Sequence, residues 1–335
     1  MKITIKHIAQ EAGVSTATVS KVINKKDEHI SAATVDRIMK IVKEYNYIPN
    51  GLASSMVTKK TKTLGLLIPD ITNPFFPEIA RGVEDKANEE NYSVIFCNTD
   101  DDLVKEEKCL AMLIEKMVDA IIIVPSAERT KDFNSLKNIS IPIVFVDRDL
   151  EIDFFTAKVL VDNYEGSYNA VTYLIENEYR KIAFITGPSS TKTSQQRLEG
   201  YKKALEDGCI RYDEKYVLEG TFKREWGKQA IQQLIEQKID FDAVYCGDDI
   251  IAIGAMKALK EKGYKIPDDI GVMGYDNIYI SELVEPSLST VRQPNYDMGS
   301  KAVSIALEAI DDKQIKGEVT ILKTALIIRK STKKR

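Results

Sequence analysis

Hydrophobic residues near the N-terminus recur at helical spacing. Four apolar residues from Ile5 to Ala12 fall on one helical face, and Gly13 after them can adopt the left-handed conformation that ends a helix. Ser15 and Ser31 are good N-cap residues, and each precedes another apolar stripe. The pattern predicts three short helices, over residues 5–12, 16–23 and 32 to about 45, around one small core.

From residue 63 onward, short apolar runs alternate with helical stripes. The runs are TLGLLIPD, YSVIFCNT, AIIIV, IPIVFVD, KIAFITG, FDAVYCG and IGVMGYD. This alternation is typical of parallel sheets with crossover helices. Many of the runs end in a polar residue, and ligands bind at the carboxyl ends of the strands in open α/β sheets. The pattern therefore predicts a ligand site along these ends.

Charge is distributed unevenly between the two regions. The chain has a net charge of −4, yet residues 1–62 carry 11 Lys and Arg against 5 Asp and Glu. The other residues carry 36 basic and 46 acidic side chains, because the whole chain holds 47 and 51. A basic head on an acidic body indicates a polyanion partner for the head alone. A solvated charged surface without a partner is the alternative.

The length of 335 residues and the 44% content of hydrophobic residues fit two or three globular units. No apolar run approaches the roughly 20 residues that span a bilayer, and the first residues lack the apolar stretch of a signal peptide. We therefore expect a cytoplasmic protein with no membrane partner.

The outward face of the second predicted helix is small and polar. Thr16, Ala17, Ser20 and Lys21 point away from its apolar stripe. Such a face can approach base edges in a major groove closely. This predicts a helix-turn-helix unit, and periodicity alone leaves a purely structural three-helix unit as the alternative.

The segments TIKHIAQEAGVSTATVSKVIN and YNYIPNGLASSM resemble the head and hinge of the LacI/GalR family of transcriptional regulators, and the resemblance continues through nearly the whole chain. It implies an α/β fold class: a small all-α helix-turn-helix head and a two-lobed body, like a periplasmic binding protein, of parallel sheets flanked by helices. The implied boundaries are 1–48 for the DNA-binding head, 49–62 for a hinge helix and linker, and 63–335 for an effector-binding and dimerisation domain. Its lobes would be about 63–163 with 293–322, and about 164–292 with 323–335.

The resemblance also implies roles for the second helix. Thr16, Ala17 and Lys21 would read bases, while Ser15, Thr18, Ser20 and Asn24 would mainly place the helix against phosphates. Lys21 stands where many relatives carry Arg, and lysine lacks the planar fork that grips guanine through two hydrogen bonds.

The hinge would form a short helix only on DNA, pair with its symmetry mate in the minor groove, and wedge a leucine between base pairs. Asn50, Ala53 and Met56 would contact DNA there, with Met56 in the place of the leucine. Methionine is apolar but flexible, so it can still act as a wedge. Ser54 replaces a common Arg. The alternative, a plain linker, predicts no DNA-dependent folding.

Several body segments resemble the ribose-operon repressors of this family and the periplasmic proteins that bind ribose. They are DITNPFFPEIARGVED, IVFVDRDL, QQRLEGY, GYDN and LSTVRQPNYDMG. A sugar has apolar ring faces and a rim of hydroxyls, so its site needs flat aromatic surfaces and charged hydrogen-bond partners. The implied effector-binding residues are Asn73, Phe75, Phe76, Asp147, Arg148, Arg197, Phe222, Asp248, Asp276 and Gln293.

Structural roles compete with these assignments. Phe75 and Phe76 follow a proline at a helix start and could only pack a lobe, and Asp147 with Arg148 could form a structural ion pair. Asp276 could cap the segment that follows it. Asp248 stands where the ribose-binding relatives usually have Asn, so a hydroxyl that faces it must donate. That departure leaves the identity of the sugar open.

The residues argue against an enzyme. The only two histidines, His7 and His29, lie in the head, which leaves the body none for base catalysis or metal ligation. The glycines form neither GxxxxGK[ST] nor GxGxxG. We expect no cofactor and no metal.

The expected partners are double-stranded operator DNA, a small sugar effector and a second copy of the chain, since two-fold symmetric operators require a homodimer. The alternatives are a catabolite-control regulator that answers to a phosphorylated carrier protein, and a free sugar-binding carrier. The sequence fixes neither the sugar nor the sign of its effect, because an inducer and a corepressor are both physically allowed.

Overall fold

The computed structural model describes residues 3–24, 27–47, 60–129, 134–152, 155–312 and 314–333, which fall into two compact units divided between Thr61 and Lys62. An all-α head and an α/β body are both present, so the predicted fold class is confirmed. None of the helices in these ranges is long and apolar enough to cross a membrane.

Three helices form the head: α1 (Ile5–Ala12), α2 (Thr16–Ile23) and α3 (Ala32–Glu44). Gly13 has φ of 63° and ends α1 in the left-handed conformation, which produces the turn into α2. Ile8, Val19 and Ile38, one from each helix, have no exposed surface and form the centre of the core. The predicted helices are therefore present at the predicted places.

The first lobe of the body, lobe 1, is a six-stranded parallel sheet in the order β11-β5-β4-β3-β1-β2. Its strands are β1 (Thr63–Ile68), β2 (Ser93–Asn98), β3 (Ala120–Ile123), β4 (Ile143–Val146), β5 (Ala157–Val161) and β11 (Glu318–Leu322). Its helices are α4 (Phe75–Glu89), α5 (Leu103–Glu115), α6 (Asn134–Lys137) and α12 (Asn295–Asp311). The central strands β3 and β4 are buried throughout.

The second lobe, lobe 2, is a six-stranded sheet in the order β12-β10-β9-β8-β6-β7, parallel except for β12. Its strands are β6 (Ile182–Thr186), β7 (Val217–Glu219), β8 (Ala243–Cys246), β9 (Gly271–Asp276), β10 (Ser289–Arg292) and β12 (Ala325–Ile327). Its helices are α7 (Asn163–Glu176), α8 (Lys192–Asp207), α9 (Arg224–Glu236), α10 (Asp249–Glu261) and α11 (Ile280–Leu283), with a 3-10 turn at Glu214–Tyr216.

The chain passes between the lobes three times: from β5 to α7, from β10 to α12, and from β11 to β12. Each passage is short, because only one or two residues separate the elements it joins. Three short connections restrict the relative motion of the lobes to opening and closing about a common hinge.

The close packing of α9 on α10 fixes two loops that face lobe 1. Gly227 and Gly254 lie where the helices touch, and a Cβ added to Gly254 would lie 2.0 Å from the carbonyl oxygen of Arg224. Phe222 precedes α9 and Asp248 precedes α10. The absent side chains therefore allow the approach that holds these two residues at one edge of lobe 2.

Gly254→Ala is expected to lower the thermal unfolding midpoint of the body by several degrees, because the added methyl group forces apart two packed helices at a cost of about 1–3 kcal/mol. Lys257→Ala, on the exposed face of the same helix, is the matched control and should change stability by less than about 0.5 kcal/mol. Equal midpoints for the two variants, measured by circular dichroism, would show that the helices do not approach this closely.

Candidate effector cleft and nucleic-acid interface

The second head helix has its ends fixed by side chains. The Ser15 hydroxyl accepts a hydrogen bond from the Thr18 amide at 3.1 Å and lies 2.9 Å from the Thr18 hydroxyl. At the other end, the Asn24 side-chain amide donates to the Ser20 carbonyl at 2.8 Å. These contacts stabilise both ends of α2. Four of the seven residues assigned to DNA in this helix thus also stabilise it.

Between those ends, Thr16, Ala17 and Lys21 are exposed on one face, while Val19 and Val22 are buried. The exposed face carries two small side chains and one cation, which permits close contact with base edges. The other three assigned residues, Asn50, Ala53 and Met56, lie outside the described residues, as does Ser54.

Ten side chains assigned to the effector lie around the facing edges of the two lobes. In lobe 1, Asp147 and Arg148 follow β4, and Asn73, Phe75 and Phe76 lie at the start of α4. In lobe 2, Asp276 ends β9, Gln293 follows β10, Asp248 caps α10, Phe222 precedes α9 and Arg197 lies on α8. Those on strand ends occupy the carboxyl edge of a parallel sheet, where open α/β folds bind ligands.

Arg148 joins the two lobes through aromatic rings. Its guanidinium carbon lies 6.0 Å from the ring centroid of Phe76 in lobe 1 and 5.8 Å from that of Phe222 in lobe 2. Phe76 packs edge-on against Phe75 at 5.0 Å. The structure therefore brings these aromatic and basic groups together, and the lobes are closed over them.

Polar contacts between the lobes accompany this closure. Lys223 Nζ lies 2.6 Å from Asp70 Oδ2, and Lys192 Nζ lies 2.8 Å from Glu151 Oε1. The Ser190 hydroxyl donates to the Ala127 carbonyl at 3.2 Å. The lysines are about half and one-third exposed, so each ion pair stabilises closure by only about 0–1 kcal/mol.

Arg197 is the buried cation of the cleft, with 3% of its surface exposed. Its Nε donates to Asn163 Oδ1 at 2.9 Å, and another of its donors bonds to the Gly247 carbonyl. Its guanidinium lies 3.8 Å from the ring centroid of Tyr275. Burial opposes the charge, but Tyr275 and the nearby carboxylates raise the pKa of the guanidinium. Arg197 is therefore a fixed positive charge.

Asp248 caps α10: its Oδ1 accepts the Ile251 amide at 2.6 Å. Its Oδ2 is buried and accepts no hydrogen bond from the protein. Burial raises the pKa of this carboxyl to about 6, although the helix amides and Arg197 favour its ionised form. Asp248 therefore keeps one buried oxygen available to a ligand.

Asp276 and Gln293 form a second acceptor group. Gln293 Nε2 donates to Asp276 Oδ1 at 2.7 Å, and Gln293 Oε1 is buried without a hydrogen-bond partner. Burial raises the pKa of Asp276 well above its ordinary value, with Arg197 acting in the opposite direction. The alternative role of Asp276 as a cap is wrong, because the Ile278 amide donates to Asp249.

Asp147 and Arg148 do not form the ion pair that was the structural alternative for them. Arg148 pairs with Asp101 and donates to the Pro125 carbonyl at 2.9 Å. Asp147 Oδ1 is buried without a hydrogen-bond partner, and burial raises the pKa of this carboxyl. Asp147 also has φ of 66°, a conformation that costs free energy and clusters at binding sites.

Asn73 has a structural contact in addition to its assigned role. Its Oδ1 accepts the Phe75 amide at 3.1 Å, so this atom caps the start of α4. Phe75 is 3% exposed and belongs to the core of lobe 1. Both residues position Phe76 at the cleft through packing and a local hydrogen bond.

Three residues that position the site were missed by sequence reasoning. Asp101 holds Arg148, Asn163 holds Arg197, and Asp249 accepts Ser281 and Thr290 hydroxyls at 2.6 Å each. Asp101 also accepts the Ala127 amide at 2.9 Å. The only sequence signal was a run of polar residues at a strand end or helix start, which does not identify a partner about 30 to 50 positions away.

Comparison with known proteins gives matches over nearly the whole chain. Residues 4–50 match the family described as bacterial regulatory proteins, lacI family, and residues 61–330 match periplasmic binding proteins and sugar binding domain of LacI family. The chain is 36% identical over 334 residues to the HTH-type transcriptional regulator RegA of Clostridium saccharobutylicum, covering 99% of this chain and 100% of that one. It is 36% identical to the ribose operon repressor of Halalkalibacterium halodurans, covering 98% and 97%.

Solved structures agree. The lac repressor dimer bound to operator and the anti-inducer ONPF is similar with a TM-score of 0.86 at 26% identity, over 99% of each chain. A LacI-family transcriptional regulator from Enterococcus faecium with bound ribose is similar with a TM-score of 0.72 at 31% identity, over 81% of this chain and 98% of that one.

A helix-turn-helix head joined to a two-lobed body with a polar and aromatic cleft defines a DNA-binding transcriptional regulator with a sugar-binding type of domain. This chain belongs to the LacI family of bacterial regulatory proteins. The family predicted from the sequence is confirmed, and so is the prediction of a regulator rather than an enzyme.

Proposed function

We propose that the chain represses a carbohydrate-utilisation operon in the cytoplasm, as a homodimer whose affinity for operator DNA is controlled by ribose or a similar small sugar in the cleft. The observation that carries the proposal is the cleft itself. The buried Arg197 lies among carboxylates and an amide that keep acceptors without partners, and buried acceptors of this kind bind hydroxyl donors.

The aromatic rings support a sugar in particular. Phe76 and Phe222 come from opposite lobes and flank one guanidinium, so apolar ring faces and polar edges are available within one closed cleft. The ribose operon repressor among the relatives and the ribose-bound regulator from Enterococcus faecium make ribose the first sugar to test.

Exposed apolar side chains support the homodimer. Ile71 and Val104 in lobe 1 are 52% and 64% exposed, and Tyr279 and Leu283 in lobe 2 are 69% and 74% exposed. Large apolar groups on both lobes fit an interface that runs along the body. The lac repressor dimer has the same fold.

Control of DNA binding follows from linkage. A sugar can shift the head and hinge between two states only by binding one arrangement of the body more tightly than the other. Residues 49–62 would couple the two functions by folding on the operator. A sugar that favours an arrangement incompatible with paired hinges releases the operator, and the opposite preference strengthens binding.

The proposed function is tested by calorimetric titration of the full chain with D-ribose, other pentoses, hexoses and phosphorylated sugars. Micromolar binding of ribose supports a ribose regulator. Binding of another sugar alone keeps the regulator of a sugar operon and rejects ribose. No binding of any sugar contradicts a sugar effector.

Met56→Ala is expected to weaken operator binding, because alanine is too short to act as a wedge between base pairs. Sugar affinity should stay the same, since the substitution lies in the proposed hinge and not in the cleft. Fluorescence anisotropy with a duplex selected from a random library measures the first quantity and calorimetry the second. Operator affinity equal to that of the unmodified chain would exclude the wedge.

A further inference from the structure

The charges that face the cleft do not balance. Asp147, Asp248 and Asp276 are each at most 6% exposed, and Arg197 is the fixed cation among them. Arg148 is also present, but it pairs with Asp101. Arg148 acts on Asp147 as well, so the two guanidinium groups face four carboxyl groups, those of Asp101, Asp147, Asp248 and Asp276. Buried anions without a compensating cation are costly, so a ligand or a proton must offset part of this charge.

The hydrogen-bonding capacity is unbalanced in the same direction. Among the ten residues assigned to the effector, the orphaned buried atoms are Asp147 Oδ1, Asp248 Oδ2 and Gln293 Oε1, and all three can only accept while Asp147 and Asp248 are ionised. The hydroxyl of Tyr275, whose ring lies against Arg197, is orphaned as well and can donate. Arg197 already uses donors on Asn163 and on the Gly247 carbonyl. A fitting ligand is therefore rich in donors. Each hydroxyl donates one hydrogen bond, whereas a protonated amine donates three and carries the missing charge.

Asp248 is the carboxylate best placed to meet such an amine. It caps a helix of 13 residues, whose amides and dipole stabilise the anion. Its pKa of about 6 leaves it ionised at neutral pH despite burial. Asp276, in contrast, accepts a hydrogen bond from Gln293 and has no buried carboxylate oxygen without a partner.

We propose that the effector is an amino sugar, a polyhydroxylated ring with one protonated amine that binds Asp248 Oδ2, while ring hydroxyls bind Asp147, Arg197 and Gln293. This inference rests on the proposed function, because it names the ligand class of the same cleft. Phe76 and Phe222 fit it as well, since aromatic faces attract an ammonium group as well as apolar ring faces. A neutral sugar leaves Asp248 Oδ2 with a single hydroxyl donor and leaves the charge of the cleft unchanged.

The test compares matched ligands on the full chain by calorimetry at neutral pH. Glucosamine, galactosamine, mannosamine and 2-amino-2-deoxy-D-ribose are each titrated beside the neutral parent sugar and the N-acetyl derivative, which has the same skeleton without the charge. At least one amine should bind more than about tenfold tighter than its parent and its acetylated form. Equal or weaker binding of every amine, or no binding by any of them, overturns the proposal.

Asp248→Asn provides a second test of the proposal, because asparagine has the same size as aspartate and also caps helices. It should reduce the preference for the amine over the parent sugar by about tenfold or more, because asparagine carries no charge to pair with the ammonium group. An unchanged preference overturns the assignment to Asp248, and the comparison on the unmodified chain stands whether or not the variant folds. If neutral sugars bind and release or strengthen operator binding while amines do neither, the proposed function stands and the amino-sugar inference fails.

Discussion

Arg197→Ala is expected to weaken binding of the effector sugar by roughly 30- to 150-fold. A hydrogen bond to a charged group stabilises by up to about 3 kcal/mol, and the substitution removes the buried cation that acts on Asp147, Asp248 and Asp276. Those carboxyl groups would then repel one another with Arg148 beside Asp147 as the remaining compensation. The ligand's hydroxyls would lose their donor from lobe 2 at the same time.

The measurement is calorimetric titration with D-ribose, or with whichever sugar binds the unmodified chain. Lys202→Ala is the matched control, because it removes a positive charge from an exposed position on the same helix and should leave the affinity unchanged. Operator binding without sugar should survive Arg197→Ala, because the head has its own core. Sugar affinity equal to that of the Lys202 variant would remove Arg197 from the site.

The second large effect is expected in the head. Lys21→Glu should weaken operator binding by at least about thirtyfold, since each subunit of a dimer loses a cation and gains an anion on the exposed face of α2. A good base contact contributes about 1–3 kcal/mol, and the symmetric operator counts it twice. The dependence of binding on salt concentration should become less steep as well, because fewer counterions are released.

Lys40→Glu is the control that distinguishes a specific contact of Lys21 with DNA from the effect of the net positive charge of the head. Lys40 is exposed on α3, and its substitution changes the net charge by the same amount. Fluorescence anisotropy across a range of salt concentrations compares the two variants, and calorimetry should show unchanged sugar binding in both. An equal loss of operator affinity would mean that the charge of the head matters and the position of Lys21 does not.

Hydrophobic patterning predicts most of the strands of this fold. The seven apolar runs read from the sequence are all strands, and six of them are buried almost throughout, as continuous runs of apolar residues in parallel strands are. The seventh, β2, lies at the edge of its sheet and leaves Phe96 exposed. β11 shows why other strands were missed. It lies at the edge of a sheet, its burial alternates, and Val319 and Ile321 are exposed. An edge strand with apolar residues on its open face has no distinctive pattern.

Some residues of the candidate site could also be predicted from the sequence, and others could not. Asp147, Asp276 and Gln293 were identifiable because they end or follow strands, and the α/β rule places such residues at the ligand edge. The residues that hydrogen-bond to Arg148 and Arg197 and hold them in place could not be identified from the sequence. Arg148 and Asp101 are 47 positions apart, and Arg197 and Asn163 are 34 apart. A contact at that separation depends on how sheets and helices pack, which no local pattern specifies.

The most direct test of the central claim is operator affinity measured with and without a sugar that binds the cleft. A duplex selected from a random library by the full chain is titrated by fluorescence anisotropy, first alone and then with saturating sugar. The account predicts a two-fold symmetric duplex whose affinity changes by about fivefold or more, the low end of a typical coupling free energy, and no change for Arg197→Ala at the same sugar concentration. An affinity that is the same with and without a bound sugar would contradict control of the head by the cleft.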